Sequence, residues 1–432
     1  MRKAFAHKNS KNRHFKKNLF GNNIDNKEQS DNNTFIFEPT KNNNEKDIPD
    51  WMKPETKEIE NKNTRFHEEI LDYVNYIIPN KVSLTKCQET INLLTKIIQK
   101  NKPEWKVVLF GSYSQNIPTI FSDIDILIIY DFNKDFEMKE MYNLMNILKN
   151  EGFCDKIRLV KARVSIIKAT CNITGINVDI SMNRENGCHA AGVIKKIIKK
   201  YRILKPSIII LKILLQKFNL NESHSGGMNS YLLFHLIYFF FIHKFHKENI
   251  EEKNEYLPNK KISKENDSNK NNIDKQEIAN SDLNNDLKLD ENNNDNNSDK
   301  NNDEYSKDDN NILINNYKEK ENNITYEMNI GDFILLFLKF FGYEFDYKNN
   351  GLSLNDDNFG KIFNKNERTD IKYNNNICVE SIQEKGKDVG KSCYNYEKIV
   401  NLFKAVYDKI NSEMQKNSCS ILQSLGFPTI SN

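Results

Sequence analysis

Apolar side chains are concentrated in three stretches, 65–130, 156–247 and 328–432, whereas 21–49 and 249–325 are mostly Asn, Lys, Asp and Glu. Only the former can build a core, so any fold must close across the gap at 249–325. The chain has 432 residues and is 38% hydrophobic, a polar average produced by low-complexity passages laid over a normal core. Runs such as Asn292-Asn293-Asn294 and Asn296-Asn297 carry no apolar periodicity and read as a disordered insertion within one helical unit. A surface loop accommodates such an insertion at small entropic cost.

The period changes along the apolar stretches. Folded sequence begins near Asp47-Ile48-Pro49-Asp50-Trp51, and the spacing of Phe66, Ile70, Leu71, Tyr73, Val74 and Ile77 predicts a helix over 65–78. A second helix, over 83–101, reads as capped by Ser83 and ended before Pro103. Strand patterns follow at Trp105–Phe110, Asp123–Tyr130, Lys156–Val160, Arg163–Ala169 and Ile176–Ser181, with a helical pattern over 137–150 among them. From Gly187 onward the pattern is helical, over 188–204, 207–218 and 229–247, then Gly331–Tyr343 and Tyr394–Met414. The expected class is α+β, a mixed sheet flanked by helices and followed by a helical domain.

With 63 basic and 60 acidic side chains the net charge is +3, which excludes a uniformly basic nucleic-acid coat but leaves room for a local patch. The run IKKIIKKYRILK (194–205) carries Lys195, Lys196, Lys199, Lys200, Arg202 and Lys205. It reads either as a phosphate-contacting face or as a merely solvated one. Seven scattered cysteines with no C-x-x-C pair argue against a disulfide framework and against a zinc site. No apolar run reaches the roughly 20 residues of a membrane helix. Tyr231–His243 is too short and is interrupted by His235. The first twenty residues are basic and lack acids; they fit a nuclear or nucleolar address, an organellar transit peptide or a disordered arm.

Chemistry concentrates in Phe110-Gly111-Ser112, a gap, then Asp123-Ile124-Asp125. On a strand alternate side chains share a face, so Asp123 and Asp125 point together while Ile124 and Ile126 enter the core. Adjacent carboxylates repel unless a cation lies between them, and magnesium is the hard ion that oxygen ligands suit. Gly111 allows close backbone approach to a phosphate, and the Ser112 hydroxyl can hold a phosphate oxygen. Asp179, in Ile176-Asn177-Val178-Asp179-Ile180-Ser181, supplies a third carboxylate if its strand lies beside the first. Three converging carboxylates would hold two metal ions, one activating an attacking hydroxyl and one carrying a leaving pyrophosphate. Singly, these features also fit an edge strand with solvated aspartates and a hydrogen-bonded structural Asp.

Gly-Ser, a gap, Asp-x-Asp and a later strand Asp resemble the DNA polymerase beta-type nucleotidyltransferase superfamily. More closely, the chain resembles noncanonical poly(A) polymerases of the TRAMP type, the DNA polymerase sigma family, from about residue 49 to residue 423 outside the insert. The resemblance rests on FHEEILDYVNYIIP (66–79), VVLFGSYS (107–114), FSDIDILI (121–128), ARVSIIKA (162–169), GINVDIS (175–181), NGCHAA (186–191), LKILLQ (211–216), LNESHSGGMNSY (220–231), NIGDFILLFLKFFGYEFDY (329–347) and KDVGKSCY (387–394). It implies a polymerase beta-like sheet domain at 83–185 and a helical poly(A) polymerase-associated central domain at 186–248 and 326–425. The remaining pieces are a segment at 47–82 packing on the helical domain, a basic arm at 1–46 and the insertion at 249–325.

Roles follow residue by residue from that resemblance. Asp123, Asp125 and Asp179 would be the metal ligands, with Mg2+ the expected ion and Mn2+ a substitute. Gly111 and Ser112 would hold the β- and γ-phosphates of ATP, Asn186 the ribose, Lys212 the triphosphate and Ser230 a phosphate, while Tyr231 would stack on the base. Residues 377–394 resemble the family's nucleotide-recognition loop, including Lys387 and Asp388. There the usual Glu-Asp-Pro appears as Glu380-Ser381-Ile382, and Lys387 stands where adenylating members usually have Asn and uridylating ones often have His. The expected activity is template-independent addition of AMP to an RNA 3′ end in nuclear RNA surveillance, processing or decay. A zinc-knuckle helper and a helicase are the implied partners. A terminal uridylyltransferase and an inactive scaffold are the alternatives.

Overall fold

The computed structural model describes residues 35–37, 48–130, 137–161, 164–182, 185–255, 328–354, 360–368 and 377–430, with backbone alone at 185–190 and 245–255. The expected arm, apart from 35–37, and the expected insertion beyond Glu255 lie outside these residues.

Helix α1 spans Lys62–Ile77 and α2 Lys81–Asn101. The cap of α2 is Asn80, whose side chain accepts from the Ser83 amide, so Ser83 lies in the first turn and is not the cap. The strands are β1 (Lys106–Phe110), β2 (Ile124–Ile129), β3 (Ile157–Val160), β4 (Ile166–Thr170) and β5 (Asn177–Met182), in the order β1-β2-β5-β4-β3. Only the central β2–β5 pair is parallel. Its inward residues Ile124, Ile126, Ile128, Val178, Ile180 and Met182 are fully buried, in one core with Leu94 and Ile98 of α2 and Met141, Leu144 and Leu148 of α4 (Glu137–Asn150). The one-turn helix α3 (Gly111–Ser114) lies between β1 and β2.

A second core is built by α1 with α5 (Glu185–Lys200), α6 (Leu204–Lys217), α7 (Ser230–Glu255), α8 (Ile330–Lys339), α9 (Tyr396–Lys416) and the one-turn α10 (Ile421–Ser424). Helix α7 runs past the expected end at 247, because the stretch after His246 is rich in Glu and Lys, which favour helix without requiring burial. Among these helices lies a small sheet that periodicity did not reveal, β7-β6-β8, formed by Lys361–Asn364, Asn350–Ser353 and Val379–Glu380. Its strands of 4, 4 and 2 residues are too short to display alternation. Residues 35–37 also dock on this domain, Phe35 and Phe37 meeting the Phe218 ring at 5.2 and 5.7 Å. Among the described residues no helix is long and apolar enough to cross a membrane.

Candidate active site

The parallel register pairs Asp125 with Asp179, side by side at the centre of the sheet. Neighbouring strands lie about 4.8 Å apart, so two carboxylates on one face come within reach of a shared cation. Asp123 precedes β2 by one residue, on the same side as Asp125, and its Oδ1 accepts from Asn177 Nδ2 at 3.3 Å. The alternation read from the sequence is thus present, with Ile124 and Ile126 fully buried on the opposite side.

Gly111 adopts φ +68°, a conformation that costs a side-chain-bearing residue, and any Cβ there would overlap the Asp125 carboxylate. The chain therefore turns out of β1 directly against the acid, with Ser112 half-buried in the turn that follows. From the other domain comes Lys212, half-buried between Leu211 and Ile213, whose ammonium acts electrostatically on Asp125. Burial, first, then the like charges of Asp179 and Asp123 push the Asp125 carboxyl up to about 7, against the opposing pull of Lys212 and Lys168. Negative charge outweighs positive charge at this point.

Lys168 was not anticipated. On β4 it stands opposite Asp179 and its ammonium forms an ion pair with Asp179 Oδ2. The available signal was alternation, since Ile167 and Ala169 are buried and Lys168 shares the other face with Thr170. Asn177, the intermediary to Asp123, belongs to the GINVDIS block, but its role is invisible in sequence alone.

The all-oxygen carboxylate donor set fits a hard divalent cation. Among the described residues no three His, Cys, Asp or Glu side chains already stand at chelating spacing, and the Lys168 ammonium holds one of the Asp179 oxygens. Asp123, Asp125 and Asp179 are the residues that would hold the ion.

The remaining expected contacts form a second group. Ser230 is exposed at the start of α7, and the Tyr231 hydroxyl lies 3.5 Å from Ser381 Oγ in the 377–394 segment, under the influence of Lys387 and Glu384. His235 joins the two elements. Its Nδ1 lies 2.8 Å from the Tyr231 carbonyl and its Nε2 accepts from the Ile382 amide at 3.3 Å, which places the proton on Nδ1. Lys387 forms an ion pair with Glu384. Asp388 turns into its own loop, where its Oδ1 accepts from the Val379 and Gly390 amides at 3.0 and 2.8 Å. It shapes the loop through these bonds. The Asn186 side chain lies outside the described residues.

Sheet, carboxylates and helical domain together define a two-domain nucleotidyltransferase architecture. Residues 66–199 match the family model "Poly(A) RNA polymerase, mitochondrial-like, central palm domain", and 329–381 match "Cid1 family poly A polymerase". Poly(A) RNA polymerase protein 2 of Saccharomyces cerevisiae is 29% identical over 197 residues, 45% of this chain and 31% of that protein. An inactive non-canonical poly(A) RNA polymerase, Trf4-2 of Drosophila melanogaster, is 29% identical over 172 residues, 39% of this chain and 42% of its own length. The matched stretch thus spans under half the length of either relative. A solved structure of the polymerase core of TRAMP, an RNA surveillance complex, superimposes with a TM-score of 0.59 at 19% identity, covering 86% of this chain and 94% of the other. In both matched segments and in its fold the chain is thus similar to noncanonical poly(A) polymerases.

Proposed function

We propose that this chain is a template-independent RNA nucleotidyltransferase that adds AMP from ATP to an RNA 3′-hydroxyl. The observation that carries the reading is the in-register Asp125–Asp179 pair, with the Gly111 turn pressed against it and Lys212 reaching in from the helical domain. When bound, two magnesium ions would supply the charge that activates the hydroxyl and neutralises the leaving pyrophosphate. The protein's own work is positioning. Gly111 brings its backbone to the phosphates, Ser112 offers its hydroxyl, Lys212 supplies a fixed cation, and Tyr231 offers a ring to the base. Asp179 is the acceptor for the 3′-hydroxyl proton.

The reading extends to a nuclear or nucleolar role in RNA surveillance, with a zinc-knuckle RNA-binding helper and a helicase as partners, on the motif resemblance to TRAMP-type polymerases. Uridylyl transfer is the second reading, favoured by Lys387 standing where adenylating relatives usually carry Asn. The test is extension of an oligoribonucleotide by the purified chain with magnesium and each nucleoside triphosphate in turn. Extension with ATP, lost in Asp125→Ala and Asp179→Ala, is expected. Extension with UTP alone would reassign the base, and extension with none, even beside an RNA-binding helper, would remove the transferase reading.

A further inference from the structure

We infer that strand β4, which bears no candidate metal ligand, fixes the Asp123 carboxylate through a Thr170–Asn177 relay, so that Thr170 and Asn177 are positioning residues for the transfer proposed above. Asp125 and Asp179 sit on paired rungs of β2 and β5, whereas Asp123 lies outside β2, where the ladder begins at Ile124. Ladder pairing therefore does not set its direction, and a side-chain contact reaches it instead.

The register provides one. Thr170 stands opposite Asn177 across the β4–β5 ladder, one same-face step along from the Lys168–Asp179 pair. Thr170 Oγ1 donates to Asn177 Oδ1 at 2.8 Å, and Asn177 Nδ2 donates to Asp123 Oδ1 at 3.3 Å. The polarity of this chain is forced. A carboxylate accepts only, so the amide must turn Nδ2 toward Asp123, which leaves Oδ1 for the threonine and makes the hydroxyl the donor. A flipped amide would set its oxygen against the carboxylate. Thr170 is stiff at χ1 because it is β-branched, so the relay is anchored at its far end. Both members are half-buried. Partners of this kind behind metal-binding carboxylates typically contribute about 10–100-fold in affinity or activity.

The inference rests on the proposed reaction, and the experiment separates the two. Mn2+ binding without nucleotide is measured by calorimetry on the full chain, alongside kcat and KM for primer extension with ATP. Asn177→Ala and Thr170→Val should each weaken Mn2+ binding about tenfold and lower kcat by a similar factor with primer KM unchanged. Thr170→Ser, which keeps the hydroxyl, should bind and turn over as the native chain does. The double variant should lose no more than Asn177→Ala alone, since both break one chain. Thr170→Val exchanges a hydroxyl for a methyl, so it reports even if Asn177→Ala folds poorly. Native Mn2+ affinity in Asn177→Ala, or losses that add in the double variant, overturns the relay. A native chain that binds Mn2+ with these dependences yet extends no primer removes the transferase reading and leaves the relay standing.

Discussion

The tightest constraint in the site falls on a residue with no side chain. Gly111 combines φ +68° with a position where a Cβ would meet the Asp125 carboxylate, so Gly111→Ala carries two penalties at once. The backbone conformation costs about 1–2 kcal/mol in stability. Displacing a reacting group by about 1 Å can cost ~100-fold in rate. The expected outcome is a slightly lower unfolding midpoint with primer extension reduced by about two orders of magnitude; native activity in this variant would mean the turn does not position Asp125. Gly111, Asp123 and Asp125 were legible because they lie close in sequence and obey the two-residue period of a strand. Thr170, Asn177 and Lys168 were not, because their roles exist only in the antiparallel β4–β5 register, which alternation alone does not specify. For Asp388 a motif position does not say how the carboxylate is used, and the bonds of its Oδ1 to the Val379 and Gly390 amides appear only in the folded loop.

Elements raise a different question, whether a basic helix does more than dissolve. In α5 the apolar face, Ala191, Ile194, Ile197 and Ile198, is buried, while Lys196, Lys199, Lys200 and, just beyond it, Arg202 are exposed and Lys195 is half-buried. The sequence from 186 to 221 contains no Asp or Glu, within a chain that has 60 of them. Helix α5 packs against α3 and β1, beside the Gly111–Ser114 turn. Its basic residues thus belong to an element that adjoins the turn beside the acids, which makes them candidates for phosphate contact. Lys195→Gln with Lys196→Gln should weaken oligoribonucleotide binding and lower its salt slope by about one for each phosphate left unneutralised, since every lysine–phosphate pair releases condensed counterions. Filter binding across a salt series reads this directly, and an unchanged slope would assign the stripe to solvation. The helix itself was legible from its apolar period, whereas the β6–β8 sheet was not, because strands this short carry no period to read.

At the scale of the whole molecule, the helical domain is assembled from both ends of the folded sequence, and one buried carboxyl joins them. Glu69 of α1 is 1% exposed; Ser420 Oγ donates to its Oε1, and the Ile421 and Leu422 amides donate at 3.0 and 2.9 Å. Arg65 flanks it, donating to Asn417 Oδ1 at 2.8 Å, and Tyr73 donates to the Pro428 carbonyl at 3.3 Å. The sheet domain is thus an insertion between two segments that fold together, which explains why apolar sequence on either side of it enters one core. Burial pushes the Glu69 carboxyl up to about 7, against the lowering pull of Ser420, the two amides and Arg65. A carboxyl whose folded pKa lies above its unfolded value favours the protonated folded state. Its contribution is complete below about pH 4.5 and fades as pH rises through about 7. Glu69→Gln cannot ionise, so the stability of the native chain relative to this variant should fall between pH 5 and pH 8, by a few kcal/mol at most. Denaturant unfolding of both chains at pH 5, 6, 7 and 8 measures the difference. Because the variant carries every other titrating group, including the site carboxylates and His235, only a slope between the two curves belongs to Glu69, and parallel curves would show that this carboxyl stays ionised in the folded chain.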